Sequence, residues 1–259
     1  MNKRKLPNNF HPILFSTPMI QSILNGRKSQ TRRITGLDEI NSNIPGFFKY
    51  LGNSNELDLG IPVDVKHPDR TWFYWEPNCN NAETYLFQCP YGKIGDMLWV
   101  RESFRKFNIT KTTCNFDYKA DAKSPVKGWK PSIHMPFEAC RIFLKIKDIR
   151  VERLQDISNE DALKEGIEVI DPNEAYKDYM GYPGSYANPR GSFFSLIEKI
   201  HGEEWFKKNP WVWVVEFEIR YTQNHPELIN TDYHYPTTAE FLESEIKRSC
   251  DKLMSSIKH

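Results

Sequence analysis

The segment TPMIQSILNGRKSQTRR (residues 17–33) joins a short amphipathic helix to a dense run of cations. Thr17 is a suitable helix cap, Pro18 suits the first helical position, and Gly26 suits the position just after a helix. The apolar residues between them recur at helical spacing, so this helix should pack on a core. Its C-terminal end should therefore hold the basic loop of residues 26–33 in a fixed position.

Five segments outside this helix have the alternation or the apolar content of strands. They are residues 13–16, 97–102, 116–120, 141–151 and 211–219. The last is the most regular, with Trp211, Trp213 and Val215 on one face and polar residues entering the other face toward its end. Strands with few helices between them predict an α+β fold built on a small mixed β-barrel with short flanking helices.

Two long stretches interrupt this pattern and predict insertions. Residues 34–90 are rich in Asn, Pro and Gly, and they contain two aromatic runs, residues 71–75 and 84–88, which favour a hairpin. Residues 167–205 are also loop-rich and end in a helical pattern at residues 193–200.

Two further helices are predicted by their ends and their apolar spacing. Ser158 is a suitable cap for a helix over residues 159–165, and Gly166 is a suitable stop. Apolar residues also recur at helical spacing along residues 238–257, which predicts a C-terminal helix packed on the body or on a partner.

Composition limits the classes of function. The formal net charge is +1, so any nucleic-acid binding must come from local patches. The five cysteines have no CxxC spacing, which argues against a zinc site and favours reduced thiols in a cytoplasm. No apolar run approaches the roughly 20 residues of a membrane span, and the basic residues 3–5 have no apolar segment behind them. We expect a cytoplasmic protein that needs no metal or other cofactor.

In their order along the chain, several motifs resemble the ASCH superfamily, and in particular its phage and prophage branch. The matching stretches are residues 13–16, 26–33, 89–102, 131–136, 151–166 and 211–217. The resemblance implies a PUA-like β-barrel over residues 1–219, with insertions at about 34–90 and 167–205. Residues 220–259 would form a helical extension. It also implies a bacterial or phage-infected cell as the setting.

Small members of this superfamily hydrolyse the amide of N4-acetylcytidine, and the resemblance implies their catalytic residues here. The lysine and threonine of their Gly-Arg-Lys-x-x-Thr motif correspond to Lys28 and Thr31, and their glutamate corresponds to Glu165, with Glu160 lying nearby. The chain departs from the small enzymes at Ser29 and in its insertions, which bear on the identity of the substrate.

The residue types suit this chemistry independently. A threonine hydroxyl needs a base to take its proton, and a lysine is a base only when its pKa falls. Arg27, Arg32 and Arg33 crowd Lys28 with like charge, which favours the neutral amine. Glu165 would lie at a helix C-terminus, where the macrodipole disfavours an anion and suits a proton shuttle. Backbone N–H groups of residues 28–31 can hold an oxyanion, an interaction worth about 3 kcal/mol.

Further residues are candidates for contacts with a substrate. They are Arg27, Ser29, Gln30, Arg32, Arg33, Trp99, Arg101, Glu102, Tyr118 and His134. Each also has a structural interpretation: a basic run is often a solvated face or a phosphate grip, a strand tryptophan often belongs to the core, and a histidine between prolines is often hydrogen-bonded within the fold.

Three functions therefore stay open at this point. The first is an amidohydrolase that acts on a modified cytidine, with Lys28 as base, Thr31 as nucleophile and Glu165 as proton shuttle. The second is a module without catalysis that binds RNA or modified DNA and uses its arginines on phosphates. The third is a metal-independent ribonuclease that uses the same three residues.

Overall fold

The computed structural model describes residues 9–42, 48–53, 72–77, 85–107, 115–171, 175–181 and 185–222. Its strands are β1 (Phe10–Leu14), β2 (Gln30–Arg33), β3 (Phe48–Asn53), β4 (Trp72–Pro77), β5 (Tyr85–Gln88), β6 (Met97–Arg101), β7 (Phe104–Phe107), β8 (Asn115–Tyr118), β9 (Ile142–Arg153), β10 (Val169–Asp171), β11 (Ala175–Lys177), β12 (Ser185–Tyr186) and β13 (Trp211–Thr222). Its α-helices are α1 (Thr17–Leu24), α2 (Asp38–Ser42), α3 (Asn159–Lys164), α4 (Pro189–His201) and α5 (Glu203–Lys207). Short 3₁₀ turns lie at Lys119–Asp121, Ser132–His134, Phe137–Ala139 and Leu154–Asp156.

The largest sheet has five strands in the order β1-β6-β9-β13-β2. β1 and β6 are parallel, and the other neighbours are antiparallel. The two 12-residue strands β9 and β13 lie at its centre and pair along their full length. The alternation in these two segments predicts them correctly, because alternate residues of each strand belong to the main core.

The two faces of β13 enter different hydrophobic clusters. Trp213, Val215 and Phe217 belong to the main core. Val212 and Val214 point the other way, into a second cluster built with residues of α3 and α4. Directly opposite residues of an antiparallel pair share a face. A residue of β2 or β9 therefore lies on the face of its partner in β13.

The mixed α+β class is confirmed, but the predicted barrel is wrong for the described residues. β1 and β2 are the two edges of the open sheet and are not paired with each other. The chain between these edges forms α1, whose Ile20 and Ile23 are fully buried in the main core. One side-chain hydrogen bond links the two edge strands, from Arg33 Nη2 to the Leu14 carbonyl at 2.9 Å.

The first insertion has the predicted β character and forms part of the core. β4 and β5 pair as the expected hairpin, and β3 adds a third strand that the sequence did not indicate. Phe73 and Trp75 are buried against Trp213, with the Phe73 and Trp213 ring centroids 4.7 Å apart. The aromatic content of this insertion therefore stabilises the main sheet.

The remaining predictions have mixed outcomes. The strand predicted at 116–120 exists as β8, but it pairs with β7 in a separate two-stranded sheet. The helix predicted at 193–200 is α4, which begins earlier because Asn188 caps it through a 2.7 Å bond from Gly191 N. The helix predicted at 238–257 lies outside the described residues. Within the described ranges, no helix is both long and apolar enough to cross a membrane.

Candidate active site

The basic stretch is half loop, as predicted, and half strand: residues 26–29 turn, and Gln30–Arg33 form β2. After α1 the chain turns at Gly26, with φ +71°, and the backbone N–H groups of Arg27 and Lys28 both donate to the Ser22 carbonyl. β2 then pairs with β13, and the hydrogen bond from Phe217 N to Ser29 O, at 2.8 Å, extends this pairing. The cations are thus fixed by the central sheet.

Lys28 and Glu165 are in direct contact, although 137 positions separate them in the chain. Their backbones form an isolated antiparallel bridge. The Lys28 Nζ donates to Glu165 Oε2 at 2.6 Å and to the Glu165 carbonyl at 2.8 Å. Both side chains are buried, with exposures of 2% and 6%. The structure therefore brings together two of the three residues for which the sequence indicates a catalytic role.

The ends of α3 place Glu165 where Lys28 can reach it. The Ser158 hydroxyl accepts a hydrogen bond from Asp161 N and caps the helix as predicted. Gly166 ends it with φ +92°, and a Cβ on this glycine would lie 3.0 Å from Lys28 Cβ. Glycine is required here both for its positive φ and for the close approach of the Lys28 segment. Glu160, the alternative to Glu165, is exposed.

Burial lowers the pKa of Lys28 below its ordinary value of 10.5. The carboxylate of Glu165 opposes this effect, while the like charges of Arg33 and Arg32 add to it. A lowered pKa favours the neutral amine, which is the form of lysine that can accept a proton.

Arg32 holds the second oxygen of the same carboxylate. Its Nη1 donates to Glu165 Oε1 at 3.2 Å, and its Nη2 donates to Glu152 at 2.7 Å and to Asp161 at 3.2 Å. The Arg32 side chain is only 2% exposed. The Gln30 amide, in the orientation that satisfies both of its ends, donates to Asp161 and accepts from Arg32. These residues form a polar layer between the sheet and α3.

This layer continues across the sheet through partly exposed ion pairs. Arg150 contacts Asp148, Glu152 and Asp161. Lys164 contacts Glu216 at 3.2 Å. Sequence reasoning did not single out these residues, although the alternation along residues 148–152 places their charged side chains on one face of a strand. No local pattern indicates that α3 covers that face.

Thr31 lies on the other face of β2. It is opposite Val215, a residue of the main core, and is 1% exposed, whereas its neighbour Arg32 is opposite Val214. The hydrogen bonds that join Lys28, Arg32 and Glu165 do not include the Thr31 hydroxyl.

The other arginines of the motif differ in exposure. Arg27 is exposed. The Arg33 guanidinium lies over the Phe15 ring, 5.0 Å from its centroid, and burial lowers its pKa. Arg32 is buried among carboxylates and Arg33 is half-buried, so Arg27 is the most exposed of these three arginines.

Glu102 and Tyr118 surround Arg141 and do not contact Lys28. Arg141 makes two hydrogen bonds to the Glu102 carboxylate, at 2.8 and 3.0 Å, with side-chain exposures of 1% and 2%. The guanidinium also lies 4.0 Å from the Tyr118 ring centroid and bonds to Asp121. Burial raises the pKa of Glu102, an effect that Arg141 opposes. We interpret this cluster as the anchor of residues 118–121.

Trp99 and Arg101 lie on the face of β6 that points away from the main core, and His134 lies in the turn Ser132–His134. Trp99 is 7% exposed and packs edge-on against Phe137, with the centroids 5.5 Å apart. Arg101 lies over the Trp99 ring and donates to the Ile133 carbonyl. His134 is exposed in its 3₁₀ turn. The contacts of Trp99 and Arg101 are those of packed structural residues, and none of them reaches Lys28.

Comparisons of the chain with models of known families, with curated proteins and with solved structures found no match. Within the described part of the chain, no group of three or more His, Cys, Asp or Glu side chains is placed to hold a metal ion. The candidate site is therefore defined by its geometry: a buried lysine, the glutamate that it contacts, and the arginine behind that glutamate.

Proposed function

We propose that the chain hydrolyses an amide on a modified nucleobase of the N4-acylcytidine type, with Lys28 and Glu165 as its acid-base pair. The observation that supports this proposal is the contact between Lys28 Nζ and Glu165 Oε2. The resemblance to the ASCH superfamily points to these two residues through two separate stretches of sequence. The lowered pKa of Lys28 supports a role as base.

The proposed reaction proceeds by one addition and one cleavage. An oxygen nucleophile adds to the acyl carbon as the neutral Lys28 amine takes its proton. The proton crosses the short hydrogen bond to the Glu165 carboxylate, and Glu165 delivers it to the leaving exocyclic amine as the C–N bond breaks. The products are a carboxylic acid and the free amine of the nucleobase.

Two nucleophiles are compatible with the residue types. A threonine nucleophile gives an acyl ester on Thr31 that a water must then cleave, whereas a water nucleophile gives the products directly. The position of Thr31 on the core face of β2 favours water. Thr31→Val separates these routes: it abolishes hydrolysis if the hydroxyl attacks, and it leaves most of the rate if water attacks.

The test of the proposed function is mass-spectrometric detection of products from N4-acetylcytidine and a panel of related acylated nucleosides. We expect wild type to release acetate and cytidine, and Lys28→Met and Glu165→Gln to lose this activity. Lys164→Met is the matched control, since Lys164 is 41% exposed and contacts Glu216. The proposal is overturned if folded wild type leaves every substrate intact, or if Lys28→Met retains the wild-type rate.

The binding-module alternative has less support from the geometry. A protein that grips phosphates must present its cations to solvent, and Arg32 is committed to three carboxylates. Binding of RNA that weakens steeply with added salt, together with no hydrolysis, would favour this alternative. Cleavage of RNA to a cyclic phosphate would favour the ribonuclease.

A further inference from the structure

Glu165 is held at both carboxylate oxygens by cations of different kinds. Oε2 accepts from Lys28, and Oε1 accepts from Arg32. The guanidinium of Arg32 is itself fixed by Glu152, at 2.7 Å, and by Asp161, at 3.2 Å. A flexible glutamate at the end of a helix is thereby fixed with one oxygen directed at the Lys28 amine.

An arginine is suited to this arrangement for a geometric reason. Its guanidinium is planar and rigid, so one side chain can bond to several carboxylates whose relative positions it then fixes. Glu152 comes from β9, Asp161 from α3 and Glu165 from the end of α3. Arg32 therefore ties the orientation of Glu165 to the central sheet.

We propose that Arg32 is a positioning residue for the Lys28 and Glu165 pair, and that it acts by holding Glu165 Oε1. This inference rests on the proposed function where it concerns the rate of hydrolysis. Its effect on the ionisation of Lys28 does not require that function. The charged groups that face Lys28 are Glu165, Arg33 and Arg32.

Loss of Arg32 should change the ionisation of Lys28 in a known direction. Arg32 repels the Lys28 ammonium, and its hydrogen bond occupies one side of the Glu165 carboxylate. Without Arg32, one like charge no longer repels the Lys28 ammonium, and the Glu165 carboxylate beside it has lost its second partner. Both changes stabilise the protonated amine, so the pKa of Lys28 should rise.

Arg150 provides a matched control in the same polar layer. It contacts Glu152 and Asp161, as Arg32 does, but it makes no bond to Glu165. Replacing Arg150 with glutamine therefore removes a cation from the same two carboxylates and leaves Glu165 with both of its partners. A general weakening of the layer would affect both variants, whereas positioning of Glu165 is lost only without Arg32.

The experiment compares Arg32→Gln, Arg32→Lys and Arg150→Gln with wild type by two measurements. The first is the pH dependence of kcat and KM on N4-acetylcytidine. We expect Arg32→Gln to lower kcat by up to about 100-fold with little change in KM, because the reacting groups are misplaced while binding remains. The rising limb of the pH profile of kcat should move to higher pH in Arg32→Gln. Arg32→Lys should recover only part of the rate, and Arg150→Gln should match wild type.

The second measurement is the NMR titration of Lys28 in lysine-labelled protein, assigned from the signal that Lys28→Met lacks. It needs no substrate, so it reports on Arg32 even if the proposed function fails. A higher pKa of Lys28 in Arg32→Gln, but not in Arg150→Gln, supports the positioning role. Equal pH profiles and equal titrations in the two glutamine variants would overturn it.

Discussion

Replacing Gly166 with alanine tests the packing that brings Glu165 to Lys28. The residue has φ +92°, and the new Cβ would lie 3.0 Å from Lys28 Cβ, 3.1 Å from Ser22 Cβ and 3.2 Å from Ser22 Oγ. A side chain at positive φ costs about 1–2 kcal/mol, and the crowding of a packed site adds about 1–3 kcal/mol. We expect the free energy of unfolding to fall by about 2–5 kcal/mol in total.

Gly95 separates the two contributions, because it has almost the same φ, +91°, with nothing within 4 Å of its Cβ position. Gly95→Ala should therefore lose only the first contribution, about 1–2 kcal/mol. Urea denaturation followed by tryptophan fluorescence measures both variants. Equal losses in the two variants, within about 0.5 kcal/mol, would refute the close approach of Gly166 to Lys28 and Ser22.

Three further predictions concern other parts of the fold. Arg141→Met leaves the Glu102 carboxylate buried without its main partner, so urea denaturation should show a loss of about 3–5 kcal/mol at pH 7. The loss should be smaller at pH 5, because burial already raises the pKa of Glu102 and the protonated form needs no cation. Ser158→Ala removes the cap of α3 and should cost about 1 kcal/mol in the same assay. Burial raises the pKa of Cys89 and Cys140 to about 12, so iodoacetamide at pH 8 should leave both unlabelled in peptide mapping until the protein is unfolded.

The Arg141 prediction has a control in Arg105, which pairs with Asp117 and lies over the Trp129 ring. These two charged side chains are 35% and 34% exposed. Arg105→Met should therefore cost no more than about 1 kcal/mol. A loss as large as that of Arg141→Met would contradict the distinction between a buried and an exposed pair.

Elements with a complete local signal could be predicted from the sequence. α1 has Pro18 in its first turn and Gly26 after its end, although Ser16 and not the predicted Thr17 holds the N-cap position. α3 has its cap at Ser158 and its stop at Gly166. The alternation of residues 211–219 predicts β13 because one face of that segment packs in the main core. In each case the residues that determine the helix or strand are close neighbours in the chain.

Features that depend on distant partners could not be predicted in this way. β2 contains two adjacent arginines, which gives it no strand pattern of its own, and it becomes a strand because β13 supplies its hydrogen bonds. The bond from Arg32 to Asp161 depends on where α3 packs against the sheet. The resemblance indicated Lys28 and Glu165 through two separate stretches of sequence. Their contact arises from the packing of Gly166 against the Lys28 segment.

The sheet order also determines when the site can form during synthesis. The hydrogen bond from Trp213 Nε1 to the Thr35 carbonyl spans 178 positions, and β2 has β13 as its neighbour in the sheet. At ribosomal rates of about 5–20 residues per second, the segment around Lys28 waits roughly 10–40 s for that partner. Such long-range pairing makes folding slow. A nascent chain should therefore contain its cationic strand unpaired until β13 has been synthesised.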